Sequence, residues 1–138
     1  MSRENVEVVR QVLRGPSQDA AQEGMVEAYI ERLSPDLEFV EDPRFPEGGI
    51  YRGREEYLRY AHDFVAQFEQ FTFTVEDLRE IPDGRVLVCY HLRGRGKASQ
   101  AEFDIRAGWV YTVREGGVVH IRAYMDRAEA LEAVGLRE

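Results

Sequence analysis

Glu102-Phe103-Asp104-Ile105-Arg106-Ala107-Gly108-Trp109-Val110-Tyr111-Thr112-Val113 and, after Glu115-Gly116-Gly117, Val119-His120-Ile121-Arg122-Ala123-Tyr124-Met125-Asp126 both read with a period of two. Successive side chains of a strand point to opposite faces, so each run predicts a strand with Phe103, Ile105, Ala107, Trp109, Tyr111 and Val113, and then Val119, Ile121, Ala123 and Met125, on one side. The pattern extends upstream. Val86, Val88, Tyr90 and Leu92 alternate with Leu87, Cys89, His91 and Arg93, and before the turn signal Ile81-Pro82-Asp83-Gly84, Phe71, Phe73 and Val75 alternate with Thr72, Thr74 and Glu76. Strands joined by turns this short pair antiparallel.

Ahead of this run of strands the period is helical. Val6, Val9 and Leu13 mark a first helix over residues 2–14, stopped by Gly15-Pro16-Ser17. Met25, Val26, Tyr29, Ile30 and Leu33 mark a second over residues 19–33, ended by Ser34-Pro35-Asp36. Tyr57, Leu58, Ala61, Phe64, Val65 and Phe68 mark a third after Gly53. Between the second and third lies a short strand, Leu37-Glu38-Phe39-Val40-Glu41-Asp42, closed by Pro43 and followed by a loop rich in Pro and Gly. Ala128 to Val134 reads as a short closing helix. Helices in a run and then strands in a run indicate an α+β fold, with the apolar stripes of three N-terminal helices covering one face of an antiparallel sheet.

With 138 residues, the chain is expected to form a single domain over residues 1–138. Its net charge of −8 argues against a nucleic-acid backbone or an anionic membrane as partner, since both attract basic surfaces. No stretch is long and apolar enough to span a bilayer, the opening residues lack the apolar core of a signal peptide, and the lone Cys89 cannot form an internal disulfide. A cytoplasmic location is the expectation. The basic stretch Arg93-Gly94-Arg95-Gly96-Lys97 falls between two strand patterns and reads as a solvated hairpin turn.

On the covered face, Val86, Val88, Tyr90, Ala107, Trp109, Tyr111, Val119, Ile121, Ala123 and Met125 set large rings beside small residues. That mixture frames a cavity or packs as a plain core. On the other face, His91, Arg93, Glu102, Asp104, Arg106, His120, Arg122 and Tyr124 carry both charge signs, which suits water or a two-fold interface between copies of the chain. His62, His91 and His120 have no metal-ligand spacing, Cys89 has the parity opposite to the covered face, and no glycine pair is followed by a lysine at phosphate-loop spacing. No metal or cofactor is implied.

The order of elements, with Glu4-Asn5-Val6-Glu7-Val8-Val9-Arg10, Pro35-Asp36-Leu37-Glu38-Phe39, Tyr51-Arg52-Gly53-Arg54-Glu55 and Tyr124-Met125-Asp126-Arg127-Ala128-Glu129-Ala130-Leu131, resembles the SnoaL-like (polyketide cyclase-like) family of the nuclear-transport-factor-2-like superfamily. The resemblance implies a cone, a cystatin-like α+β barrel in which a curved antiparallel sheet wraps around helices, with a pocket at the wide end and dimerisation through the outer sheet face. The superfamily includes cyclases, isomerases, hydrolases and members without known chemistry, so the fold alone does not select a function.

Val40-Glu41-Asp42-Pro43 resembles the segment that carries the proton-shuttling aspartate of ketosteroid isomerases, which makes Asp42 the candidate base. Strand-end turn chemistry alone also accounts for an aspartate before proline. Those isomerases stabilise an enolate with a tyrosine and a protonated aspartate. The matching positions here are Val12 and Trp109. The inward His and Asp of the related polyketide cyclases match Trp109 and Ala123, and Arg106, Arg122, Asp104 and Asp126 have the wrong parity for the Asp-Arg-Asp relay of the epoxide hydrolases. What the resemblance then implies is a cofactor-independent proton-transfer enzyme of isomerase, cyclase or lyase type, acting on a small, mostly apolar molecule. Asp42 would be its base and Tyr90 or Trp109 a hydrogen-bond donor, with Val12, Tyr29, Tyr60, Phe64, Val88, Ala107, Tyr111, Ile121, Ala123 and Met125 as pocket walls. A non-catalytic ligand-binding or dimerisation module of the same fold is the alternative.

Overall fold

A computed structural model describes residues 5–10, 32–45 and 48–136. Residues 5–10 are helical (α1). They are followed by β1 (Leu33–Val40), β2 (Ile50–Arg52), α2 (Arg54–Ala66), β3 (Phe68–Ile81), β4 (Arg85–Gly96), β5 (Glu102–Arg114), β6 (Gly117–Tyr124) and α3 (Arg127–Ala133). The strands form one curved, unclosed sheet in the order β2-β1-β6-β5-β4-β3. Every neighbouring pair is antiparallel except β1 and β6, which run parallel, so the sheet is mixed and not wholly antiparallel as expected. The parallel pair is possible because the chain places α2 and four strands between β1 and its neighbour β6.

Local chemistry sets the long hairpins. Glu115 and Gly116 both take positive φ (51° and 76°) between the paired residues Arg114 and Gly117, the twist that a two-residue hairpin loop requires. Asp83 and Gly84 also take positive φ (71° and 75°), in the three-residue loop between the paired residues Ile81 and Arg85. The basic stretch ends β4, and its arginines pair across the hairpin, Arg95 with Glu102 at 3.1 Å and Arg93 with Asp104 at 3.7 Å.

Register builds the inner face in rows. Val88, Trp109 and Ala123 lie side by side, as do Val86, Tyr111, Ile121 and Phe39. Small residues flank the indole, as packing to interior density requires. Val8 and Val9 of α1 and Tyr57 and Tyr60 of α2 are buried in the same core.

Several sequence expectations need correction. Two N-terminal helices are present among the described residues; the second expected helix, over residues 19–33, lies outside them except for Arg32 and Leu33, and Leu33 opens β1. Ser34-Pro35-Asp36 does not end a helix but sits in a register shift between Leu33 and Glu38, where a proline within a strand is tolerated. Phe68 starts β3 and does not extend α2, and Val65 is exposed. A bulge between Thr112 and Val113 changes the parity of β6, so Val118 faces the core and Val119 is only half-buried. A second bulge, between Val75 and Asp77, leaves Val75 40% exposed and turns Leu78 towards the core.

The outer face is not left wholly to water or to a partner. Ala130 and Leu131 of α3 cover Ile81, Leu87, Cys89 and Val110 on it, and this burial raises the Cys89 thiol pKa, which keeps the group protonated and unreactive. The charges beside α3 pair with its first residue and with each other: Glu76 meets Arg127 at 2.7 Å and Arg106 at 3.5 Å, and His91 Nε2 lies 2.6 Å from Asp104. No helix among the described residues is long and apolar enough to cross a membrane.

Gly108 makes the docking of α3 possible, because a Cβ there would lie 2.5 Å from the Ala130 Cβ. Gly108→Ala is therefore expected to cost about 1–3 kcal/mol, as overpacking does. Adding Ala130→Gly should recover part of the loss in a double-mutant cycle read by denaturant unfolding, even though glycine weakens the helix by about 1 kcal/mol. Strictly additive losses would show that the two residues do not touch.

Candidate functional site

The inward parity of β1 runs through Leu37 and Phe39 to the residue just past its end, Glu41. Glu41 is 3% exposed, and its backbone N–H donates to Gly49 O at 2.8 Å as the chain leaves the sheet. The turn that follows is tight: Phe45 N donates to Asp42 O at 3.1 Å and Gly48 N to Phe45 O at 2.9 Å. Position 48 must be glycine, since a Cβ there would stand 2.3 Å from Asp42 O.

Glu41 Oε2 accepts a 2.6 Å hydrogen bond from the Tyr60 hydroxyl of α2, and Oε1 accepts one of 2.9 Å from Asp42 N. Tyr60 stacks on Tyr51 with centroids 4.3 Å apart and lies 5.6 Å from Phe39. Burial among these rings pushes the Glu41 carboxyl pKa up and the neighbouring Asp42 charge adds to the rise, while the bonds from Tyr60 and Asp42 N act against it; burial wins.

Asp42 points the other way, as the next residue after an inward one does. It is 6% exposed, and both of its oxygens are fully engaged. Oδ1 accepts from Arg44 Nε at 2.9 Å and Arg44 N at 3.0 Å; Oδ2 accepts from Arg44 Nη2 at 2.6 Å and Met125 N at 2.8 Å. A carboxylate offers about four acceptor positions, and four donors fill them here. The guanidinium of Arg44 and the two backbone N–H groups hold this carboxyl well below the usual carboxylate range, although burial opposes them. The geometry therefore leaves the candidate base of the sequence reading as a bound anion with no lone pair to spare.

Deeper in the sheet, the Tyr90 and Tyr111 hydroxyls lie 2.6 Å apart, both buried. Trp109, partly buried, stands 5.2 Å from the Tyr90 ring, 6.3 Å from Tyr111 and 5.4 Å from Phe39. An unbroken run of rings thus leads from Glu41 through Tyr60, Phe39 and Trp109 to the tyrosine pair. Of the expected walls, Tyr60, Val88, Ala107, Tyr111, Ile121 and Ala123 lie in this same cluster, and Phe64 packs against it. Met125 lies just past β6, half-buried, and its identified link to the site is its backbone N–H. Val12 and Tyr29 fall outside the described residues. Among the described residues, no group of three His, Cys, Asp or Glu side chains is placed to hold a metal ion.

Glu41 is the residue that the sequence reading passed over. The signal was present: counting by twos from Leu37 and Phe39 reaches Glu41, whereas the resemblance around Pro43 drew attention to Asp42.

The SnoaL-like domain family matches residues 17–121 of the chain. No curated protein matches it. Among solved structures, an NTF2-like protein from Burkholderia thailandensis is similar, at 22% identity over 94% of this chain and 95% of that one, with a TM-score of 0.76. A protein with a ketosteroid isomerase-like fold from Catenulispora acidiphila, in complex with trimethylamine, gives 18% identity over 79% and 81%, with a TM-score of 0.61. TerC co-crystallised with polyporic acid gives 16% identity over 95% and 97%, with a TM-score of 0.69. At these identities the likeness is one of fold.

The two neighbouring carboxyls should act on stability in opposite directions. The folded-state pKa of Asp42 is depressed, so its contribution is present above its unfolded value of about 3.9 and is lost as the pH falls below it. Asp42→Asn is expected to cost about 2 kcal/mol at pH 7, and the deficit should close under acid conditions. The folded-state pKa of Glu41 is raised, so its contribution is present below about 4.3 and is lost as the pH rises through the folded value. Glu41→Gln should therefore gain stability relative to wild type as the pH rises above about 4.3. Denaturant unfolding of both variants across pH reads the two signs.

Proposed function

The chain belongs to the SnoaL-like domain family, and on that premise we propose that it binds a small, mostly apolar molecule against its aromatic interior and moves a proton through Glu41. The observation that carries this reading is the Glu41 carboxyl itself, 3% exposed, bonded to Tyr60 at 2.6 Å and raised in pKa by burial. A general acid or base works best when its pKa lies near the operating pH, and burial moves a glutamate in that direction. The ionised carboxylate takes a proton from a carbon α to a carbonyl, leaving an enolate and neutral Glu41, which returns the proton to the same molecule at another position. Tyr90 and Trp109 remain the candidate donors to the carbonyl oxygen. Asp42 is assigned a structural charge in place of the base role, because its acceptor positions are filled.

Two of the similar structures contain small molecules, polyporic acid in one and trimethylamine in the other, which supports the size class of ligand. A second reading, binding without turnover, is favoured by one specific observation: Trp109 and Ala123, paired on the inner face, are non-ionisable at the positions where the resemblance to polyketide cyclases implies an inward His and Asp. The part of the outer sheet face that α3 leaves uncovered is the surface we assign to a homodimer.

Exchange of the α-protons of α-tetralone and cyclohexanone in D2O, followed by NMR, tests the catalytic reading. Wild type should accelerate exchange, Glu41→Gln should lose about 10²–10⁴-fold, and Tyr60→Phe should lose less. Asp42→Asn, compared at a temperature where it stays folded, should keep the rate within a few-fold. Exchange at the wild-type rate in Glu41→Gln would overturn the role of Glu41. A thermal shift with these ketones but no exchange would leave the binding reading in place.

A further inference from the structure

The guanidinium of Arg44 serves two carboxylates at once. Nε and Nη2 meet Asp42 at 2.9 and 2.6 Å, and Nη1 and Nη2 meet Glu129 at 3.1 and 2.9 Å. Glu129 lies in the first turn of α3, and Asp42 also takes the N–H of Met125 at the exit of β6. Three segments that are distant in sequence, the turn after β1, the exit of β6 and the start of α3, therefore meet on the Asp42–Arg44 pair, with Arg44 carrying the link to α3 and Asp42 the link to β6. Only a planar fork with several donors fixed in direction can do this; a lysine would supply a point charge. Asp42 is in turn joined to Glu41 by more than the chain, because the Asp42 N–H is itself the donor to Glu41 Oε1.

We propose that Arg44 is a positioning residue for Glu41: by forking between Asp42 and Glu129 it locks the Asp42 peptide, and that peptide holds the Glu41 carboxyl turned inward onto Tyr60. This rests on the reading of Glu41 as the working carboxyl and adds the device that aims it. Without the fork, the Asp42 carboxylate keeps only two backbone donors and turns towards water, carrying its peptide with it. Glu41 then loses its Oε1 bond and follows into solvent. The polar groups that face Glu41 among the described residues are Tyr60 from α2 and the Asp42 N–H and charge from its own turn, so the Asp42 peptide is the route by which a change at Arg44 reaches it.

The test is a carbon-13 NMR titration of the Glu41 carboxyl in glutamate-labelled protein, assigned by its absence in Glu41→Gln. In wild type this carbon should titrate above the ordinary glutamate range. In Arg44→Gln its midpoint should fall back towards that range, and in Arg44→Lys it should fall part of the way. In Glu129→Gln, which removes only the α3 anchor, the fall should be smaller than in Arg44→Gln. Arg44 is 46% exposed at its side chain, so the variants should remain folded, which circular dichroism checks. A Glu41 midpoint that stays in place or rises in folded Arg44→Gln overturns the proposal. The readout needs neither ligand nor turnover, so its failure is distinct from a failure of Glu41→Gln to stop proton exchange.

Discussion

Consecutive residues at the end of a strand cannot both face the interior, and the site of this protein follows from that constraint. Glu41 and Asp42 leave β1 in opposite directions. One enters a cage of rings from α2 and the sheet; the other turns towards Arg44 and α3. The two environments push their carboxyl pKa values apart, burial raising one and a guanidinium lowering the other. Pushing the pKa values of neighbouring titratable groups apart gives the pair two different tendencies, one carboxyl favouring its neutral form and the other its charged form. The ionised Asp42 also adds to the rise at Glu41, so the anion that Arg44 holds contributes to the shift of its neighbour.

The rest of the fold keeps that division in place. The parallel pairing of β1 with β6 sets the exit of β6 beside the end of β1, and this brings the Met125 N–H within 2.8 Å of Asp42. The α3 helix lies on the outer face because Gly108 admits Ala130, and its first turn offers Glu129 to Arg44. On the inner face, α2 presents Tyr60 to Glu41 and closes over Phe39 with Tyr57. A carboxyl so placed has no water to relax into, and this turns an ordinary glutamate into one with a raised pKa.

Much of this is legible in the sequence. The period of two from Val86 to Tyr111 placed the inner rows, and the turn chemistry at Glu115-Gly116 and Asp83-Gly84 placed the hairpins. What failed were features that the period does not encode. A bulge at Thr112/Val113 exchanged Val118 for Val119, and nothing in Gly117-Val118-Val119 marks which valine turns in. Leu33 fitted the stripe of a helix, yet tertiary pairing with Val118 drew it into β1. The burial of Leu87, Cys89 and Val110 on the outer face depended on where a seven-residue helix would dock, a long-range fact with only Gly108 as its trace.

Asp42 is the instructive case, because resemblance and parity disagreed there. The segment Val40-Glu41-Asp42-Pro43 invites a match at the aspartate, and that match carries a role with it. Parity counted from Phe39 assigns the inward position one residue earlier, and the surroundings distinguish the two buried carboxyls, since Glu41 loses its water to apolar rings while Asp42 exchanges its water for four hydrogen-bond donors. The same count explains why Arg44 reaches Asp42 and not Glu41: the guanidinium sits on the α3 side of the sheet, 46% exposed at its side chain, where its charge costs little to keep. A cation on the inner side would have favoured the ionised form of Glu41 and opposed the rise that burial produces. By standing outside and acting through the Asp42 peptide, Arg44 anchors the turn without discharging the carboxyl that the turn presents.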